Sequence, residues 1–285
     1  MSAQSVNEQV LSRATSTEAD LADTLIVEQK RLVQREKRKV VFLQVLLVAV
    51  TIAVWELLVR IGLLREFWIG EPSKVATFIV RTIQDGTLLR DTWVTTEETI
   101  LGVLGGFTLG AIAGLLIWWS RTLENVLDPV MVALNSLPKI ALTPIFLLWF
   151  GVGLWMKVAL TFSTVFLVAF LTAAASLRAL DRELLDLTSA LGGSRWQVFR
   201  NVVVPSSMPW LFSAMKLSIG FGLTGAVVGE FVAANAGLGY LLLYGAQIYE
   251  MSLVWAGIAA LLVISILMYW AVAVLERKIL HWRDN

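Results

Sequence analysis

Lys139, Lys216 and Glu230 are ionisable side chains set in long apolar stretches of this 285-residue sequence. An ionised group at the centre of a bilayer costs about 2.5–3.5 kcal/mol on insertion scales, and such groups usually turn toward a bundle interior. Lys139 follows a proline and would either attract an anionic solute toward a pathway, pair with a neighbour, or snorkel to an interface. Lys216 stands about two turns inside an apolar segment and is expected to snorkel to the nearer surface. Glu230 lies at the other end of that segment, just before Asn235, Gly237 and Gly239. Gating, docking of an outside partner and simple helix-end solvation are all open there. Covalent or metal chemistry finds no support. The chain has no cysteine, and its one histidine, His281, lies in a basic tail beside Trp282, where it completes neither a triad nor a metal site.

The elements that must hold these residues are membrane helices. Hydrophobic residues make up 57% of the chain and charged residues 16%, against about 25% charged in an ordinary soluble domain. A span needs about 20 largely apolar residues, and six segments qualify, near 40–63, 95–119, 126–150, 154–175, 210–232 and 253–275. Lys30, Arg31, Arg35, Lys37, Arg38 and Lys39 precede the first, and Arg277, Lys278 and Arg283 follow the last. By the positive-inside rule both termini are cytoplasmic. Arg121 and the segment with Arg182, Arg195 and Arg200 then share that side, whereas Glu230 to Glu250 carries no Lys or Arg. A net charge of +1 gives no reason to expect nucleic acid. The first span serves as the insertion signal, since no basic leader with an apolar core precedes it.

Residues 1–39 read as a cytoplasmic tail, polar and partly disordered over the first two dozen residues and mixed in charge thereafter. Residues 72–85, with Val75, Phe78, Ile79 and Ile83 at helical spacing, form an amphipathic helix whose apolar face rests on the bundle. Gly102, Gly106, Gly110 and Gly114 recur every fourth residue and strip one face of the second span for close helix packing. A phosphate loop would need a preceding strand and usually a lysine, and neither is present. In the third span Pro129, Pro138 and Pro144 each remove a backbone donor and bend the helix near Asn135, Ser136 and Lys139. Such breaks shape a helix or mark a cavity. Twelve tryptophans, among them Trp68, Trp118, Trp119 and Trp282 near span ends, fit an aromatic belt.

One polar interruption is longer than a tight turn requires. Leu184, Leu187 and Leu191 make an apolar helix face, with Arg182, Asp186 and Ser189 elsewhere on the wheel. Gly192 and Gly193 stop that helix. Ser194 and Gln197 have capping-box spacing for a second short helix through Trp196, Phe199 and Val203. Pro205 is expected to end it, with Ser206, Ser207 and Pro209 forming the first turn of the next span.

This segment resembles the cytoplasmic signature of ABC importer permeases: Asp186-Leu187-Thr188 stands for the Glu-Ala-Ala triplet, followed at family spacing by Gly192, Val202, Val204 and Pro205. Leu-Thr in place of Ala-Ala is a departure from the pattern. Trp55-Glu56, Gly106-Phe107 with Gly110, Leu148-Trp149-Phe150-Gly151, Gly229-Glu230-Phe231 and Gly237-Leu238-Gly239-Tyr240 extend the resemblance over about residues 40 to 283. They are similar to the branch importing nitrate, taurine, alkanesulfonates and related small solutes. The resemblance implies an all-α integral membrane protein of six transmembrane helices with the type I, MetI-like permease fold. Residues 40–285 would be the permease domain, with a coupling segment at about 179–205.

It further implies a non-catalytic subunit that works as a homodimer or paired permease in the bacterial inner membrane. Two cytoplasmic ATPase subunits would bind ATP and Mg, this chain having no cofactor of its own. A periplasmic or lipid-anchored solute-binding protein would deliver the solute. Asp186, Leu187, Thr188, Leu191, Gly192, Gly193, Ser194, Trp196 and Pro205 are the expected ATPase-coupling residues, and Asn135, Ser136, Lys139 and Glu230 the pathway candidates. A small anion suits both the branch and Lys139, although relatives also import neutral aromatic pyrimidines. An ion-driven carrier or channel is the alternative, and it would transport without an ATPase. A membrane enzyme would need acidic residues clustered on facing helices, whereas those here lie mainly at span ends.

Overall fold

The sharpest feature of the backbone is a break at Leu137 and Pro138. Proline offers no N–H and drives the residue before it out of the helical region; Leu137 is extended at φ −70° and ψ 134°. In the computed structural model, which describes residues 34–36 and 38–281, the third span is therefore two helices and not one. Helix α5 (Arg121–Ser136) and the stretch Lys139–Phe150 are bent by 90°. That stretch comprises a 3-10 turn, Lys139–Leu142, and α6 (Thr143–Phe150). Pro129 is accommodated inside α5, and Pro144 occupies the first turn of α6. The expectations for residues 1–33, Lys37, Trp282 and Arg283 lie outside the described residues.

The chain divides into two compact units, 1–64 and 65–285. The first contains α1 (Gln34–Arg60), a 27-residue helix with mean hydropathy 2.4 over its apolar window. The second contains α2 (Glu66–Ile69), α3 (Pro72–Gln84), α4 (Thr87–Leu116, continued by a 3-10 turn to Trp119), α5, α6 and α7 (Leu154–Arg178). These are followed by α8 (Arg182–Ala190), α9 (Arg195–Val198), α10 (Val204–Ala233), α11 (Leu238–Gln247) and α12 (Met251–Ile279). Among the described residues five helices are long and apolar enough to cross a membrane, and the bent α5–α6 pair makes a sixth. Exposed faces such as that of α12, with Leu262, Val263, Ile266 and Leu267, are apolar beyond what a water-facing surface carries, as suits a helix long and apolar enough to cross a membrane.

Helices α4 and α7 form the centre of the second unit. A Cβ at Gly106 would stand 2.7 Å from the Phe162 carbonyl oxygen, and one at Gly114 would stand 2.6 Å from that of Phe170. Gly102 faces Thr161 and Gly110 the Phe166 carbonyl in the same way, so the glycine stripe lets α4 lie directly on the α7 backbone. Val103, Phe107, Ala111 and Leu115 of α4 then close a core with Val165, Ala169 and Ala173 of α7 and Leu211 and Ala214 of α10. A second core joins Ile219 and Leu223 of α10, Leu238 and Leu241 of α11, and Leu253 and Ile264 of α12, with Phe78 and Ile79 of α3 resting on it. Helix α3 begins with Pro72 at its first turn and is followed by Asp85, whose carboxylate accepts from the Thr87 N–H at 2.9 Å. That bond holds the Asp85 carboxyl below the usual carboxylate range.

Pro205 does not end α9. The helix runs without interruption from Arg195 to Ala233. Residues Phe199–Val203 adopt a π-turn, whose wider register replaces the regular i→i−4 bonding just before Pro205, the second residue of α10. Ser207, expected in an entry turn, is instead fully buried and bonded to Ser176 of α7 at 2.9 Å.

Candidate functional site

Asp181 caps α8 by accepting from the Glu183 N–H at 2.9 Å. Helix α8 closes at its other end in a Schellman turn: the Gly193 N–H reaches the Thr188 carbonyl at 3.1 Å and the Gly192 N–H that of Ser189 at 3.0 Å. Gly192 has φ +84°, a left-handed conformation in which a β-carbon is strained. Ser194 starts α9 at once with a capping box, the Gln197 N–H donating to Ser194 Oγ at 3.3 Å and the Ser194 N–H to Gln197 Oε1 at 2.7 Å. Every backbone N–H from Leu191 to Ser194 is thus hydrogen-bonded although solvent reaches the join. Leu184, Leu187, Leu191 and Trp196 stand out from this segment, Leu191 at 81% exposure, and Asp186 is exposed beside them. Thr188 and Ser189 return their hydroxyl protons to the Leu184 and Leu185 carbonyls. Pro205 is half-buried at the base of α10.

Aromatic packing fixes the segment to the bundle. Trp119, at the end of α4, packs on Phe199 with ring centroids 4.3 Å apart and on Trp196 at 6.0 Å. Arg178, at the end of α7, donates to Glu124 at 3.0 Å and pairs with Asp128 at 2.6 Å, both on α5.

The proline break builds one wall of a cavity of about 470 Å³. Asn135, Leu137, Lys139 and Ile140 line it on that side; Leu160, Thr164 and Val168 of α7 and Phe221, Thr224, Gly225 and Val228 of α10 line the other. Lys139 is the one charged residue in this lining. Its ammonium donates to the Asn135 and Leu137 carbonyls at 2.5 and 3.0 Å, which leaves a third donor. Thr164 and Thr224 spend their hydroxyl protons on the carbonyls of Leu160 and Gly220, so they offer the cavity acceptors only. Ser136, a pathway candidate, does not line the cavity and bonds the Val132 carbonyl at 3.0 Å.

Glu230 lies elsewhere, and it is not a solvated helix end. It is 1% exposed, in a polar cluster among α4, α7, α10 and the start of α11. Thr95 donates to Glu230 Oε1 at 2.7 Å. Three consecutive amides at the entry to α11 each find an oxygen: Gly237 on Asp91 at 3.1 Å, Leu238 on Thr95 at 2.8 Å and Gly239 on Glu230 at 2.5 Å. Helix N-terminal amides carry partial positive charge, so two carboxylates there are well placed. Lys157 of α7 pairs with Glu98 of α4 beside them, both buried. Asp91, Glu98 and Lys157 were not singled out from sequence, and they are also why the second span starts at Thr87 and not near residue 95. Buried polar partners let a charged stretch continue the apolar helix. Lys216 likewise does not simply snorkel: it pairs with Glu276 of α12 and lies 5.6 Å from the Tyr269 ring centre.

Comparison with known proteins identifies the frame in which these features sit. The family described as binding-protein-dependent transport system inner membrane component matches residues 106–281. The riboflavin transport system permease protein RibX of Chloroflexus aurantiacus is 32% identical over 235 residues, 81% of this chain and 86% of the relative. The putative aliphatic sulfonates transport permease protein SsuC of Bacillus subtilis is 30% identical over 240 residues, 84% of this chain and 87% of the relative. A chain of the inward-facing MetNI methionine ABC transporter shares the fold, with TM-score 0.62 at 20% identity, covering 68% of this chain and 97% of that one. Sequence and fold together place the chain in the family of inner membrane components of binding-protein-dependent transport systems, as a non-catalytic permease subunit of an ABC importer.

Proposed function

We propose that α8 and α9 are the surface on which a cytoplasmic ABC ATPase docks, and that the cavity beside Lys139 belongs to the path of the solute. Leu187, Leu191 and Trp196 are the apolar contacts, with Asp186 and Thr188 at their edge. Gly192, Gly193 and Ser194 fix the angle between the two helices, and Pro205 lets the segment run into α10. The observation that carries this reading is the outward apolar face on a helix pair whose backbone N–H groups are all hydrogen-bonded at the join. Apolar side chains held so rigidly in a polar setting are a partner's anchors.

On this reading the termini and α8–α9 are cytoplasmic, two ATPase subunits bind ATP and Mg, and an external solute-binding protein, periplasmic or lipid-anchored, delivers the solute. The permease pairs with a second copy or a related chain, since six helices offer too little wall for an alternating-access pathway. The single positive charge of that wall favours a small anion such as nitrate, taurine or an alkanesulfonate, in keeping with a relative named for aliphatic sulfonates. Phe221 and the apolar lining favour a second reading, a neutral aromatic solute, in keeping with the relative named for riboflavin.

The docking reading is tested with the variant L187D/L191D. It should insert into membranes normally and lose co-purification with the ATPase. Undiminished co-purification overturns the assignment. Solute uptake by the purified permease alone, with no ATPase present, would instead favour an ion-driven carrier.

A further inference from the structure

Neither the docking surface nor the cavity lining uses Glu98, Lys157 or Glu230, although all three are buried. They come from α4, α7 and α10, and meet where α10 turns into α11. The Glu98 carboxyl lies directly against that of Glu230. Their donors can be counted oxygen by oxygen. Glu230 Oε1 accepts from the Thr95 hydroxyl at 2.7 Å and Oε2 from the Gly239 amide at 2.5 Å, while Glu98 Oε1 takes the Lys157 ammonium. Glu98 Oε2 is buried with no donor. A β-carbon at Gly237 or Gly239 would collide with the Glu230 carboxyl, so that group is packed tightly under the first turn of α11. The remaining carboxylate, Asp91, stands two turns away along α4, with the Gly237 amide as its donor and the Arg90 charge beside it. Two carboxylates in contact and out of water repel too strongly for both to ionise, and one ammonium balances only one of them.

We infer that Glu98 and Glu230 form a proton-binding site, in which one proton is shared between the two carboxyls and fills the empty place at Glu98 Oε2. The pair then carries a single negative charge, and Lys157 balances it. The shared proton joins α4 to α10 and, through the Gly239 amide held by Glu230, to the start of α11. Its loss sets two negative charges against each other beside one ammonium, and the α10–α11 corner is then pushed off α4. In the unfolded chain both carboxyls reach water and are ionised at neutral pH, about 3 units above where a free Glu titrates. The folded arrangement therefore binds a proton that the unfolded one releases, and the stability it contributes is lost as pH rises.

The experiment compares the full chain in detergent with E98Q, E230Q and D91N by infrared spectroscopy and thermal melting. At neutral pH the parental protein should show the C=O band of a protonated carboxyl, shifted in heavy water, and this band should persist in D91N and vanish in E98Q. The amide of E98Q reproduces the protonated acid, one N–H toward Glu230 and one oxygen toward Lys157, yet has no proton to lose. E98Q should therefore keep most of the parental melting temperature at neutral pH, and should not share the fall of about 3 °C or more that the parental protein undergoes on going to mildly alkaline pH. E230Q sets an N–H against the Thr95 and Gly239 donors and should be the less stable of the two at either pH. Absence of the band from the parental protein at neutral pH overturns the inference, as does its persistence in E98Q. An undiminished alkaline fall in E98Q, or E98Q no more stable than E230Q, overturns it as well. Failure of E98Q to fold counts in the same direction, because the amide keeps both the charge balance and the hydrogen bonds that the shared proton provides.

Discussion

Lys157 of α7 and Glu98 of α4 form an ion pair whose side chains are 7 and 1% exposed, with the Glu98 carboxyl directly against that of Glu230. In so little water each charge depends on the other. Removing one partner of a buried pair leaves the other uncompensated and costs about 3–5 kcal/mol, whereas replacing both by apolar groups is often neutral. K157M and E98L should each lower the melting temperature in detergent sharply, and K157M/E98L should recover most of the loss. A double variant as unstable as the sum of the single ones would show that the two side chains act independently.

The glycine stripe makes a second prediction with an internal control. At Gly106 a β-carbon would meet the α7 backbone at 2.7 Å, while at the neighbouring Gly105 its nearest contact is the Phe162 ring at 3.4 Å. A carbonyl cannot rotate aside as a side chain can. G106V should therefore abolish folding or cost on the order of 3 kcal/mol, and G105A should be tolerated, as judged by yield of monodisperse protein in detergent. Equal behaviour of the two variants would mean that α4 and α7 separate more readily than their packing implies.

Gly192 tests the join of α8 and α9. No atom stands within 4 Å of its added β-carbon, so any penalty comes from φ +84° and not from crowding. Asparagine tolerates that conformation and valine does not. G192V should insert normally and hydrolyse ATP in the complex with transport reduced at least tenfold, about 1.4 kcal/mol, while G192N should retain most transport. Transport in G192V at the parental level would show that the helix angle is not part of coupling.

Much of this was legible before any coordinates. Apolar runs of span length give helices because lipid leaves no other way to satisfy the backbone. The fourfold glycine spacing and the Ser194–Gln197 box are local signals that need no tertiary knowledge, as is the glycine stop after Leu191. The cavity was half-legible: Pro138 and Lys139 mark it, but Thr164, Thr224 and Phe221 join it only because α7 and α10 face the break. The Glu98–Lys157 pair was invisible for the same reason. Its members lie 59 residues apart, and a lone Glu at a span edge looks like a solvated end until the helix that neutralises it is placed alongside. Pro205 misleads because the rule that proline stops a helix assumes an α-helical register before it, and the π-turn supplies a different one.

That π-turn at Phe199–Val203 fixes the angular phase between the outward leucine–tryptophan surface and everything α10 touches in the bundle. Each α-helical residue advances the chain by about 100° and 1.5 Å, so a family member lacking one residue in this stretch would present the same side chains to a different quadrant. Two permeases with matching sequence on either side of it but differing there by a single residue would not share the same motor in the same orientation.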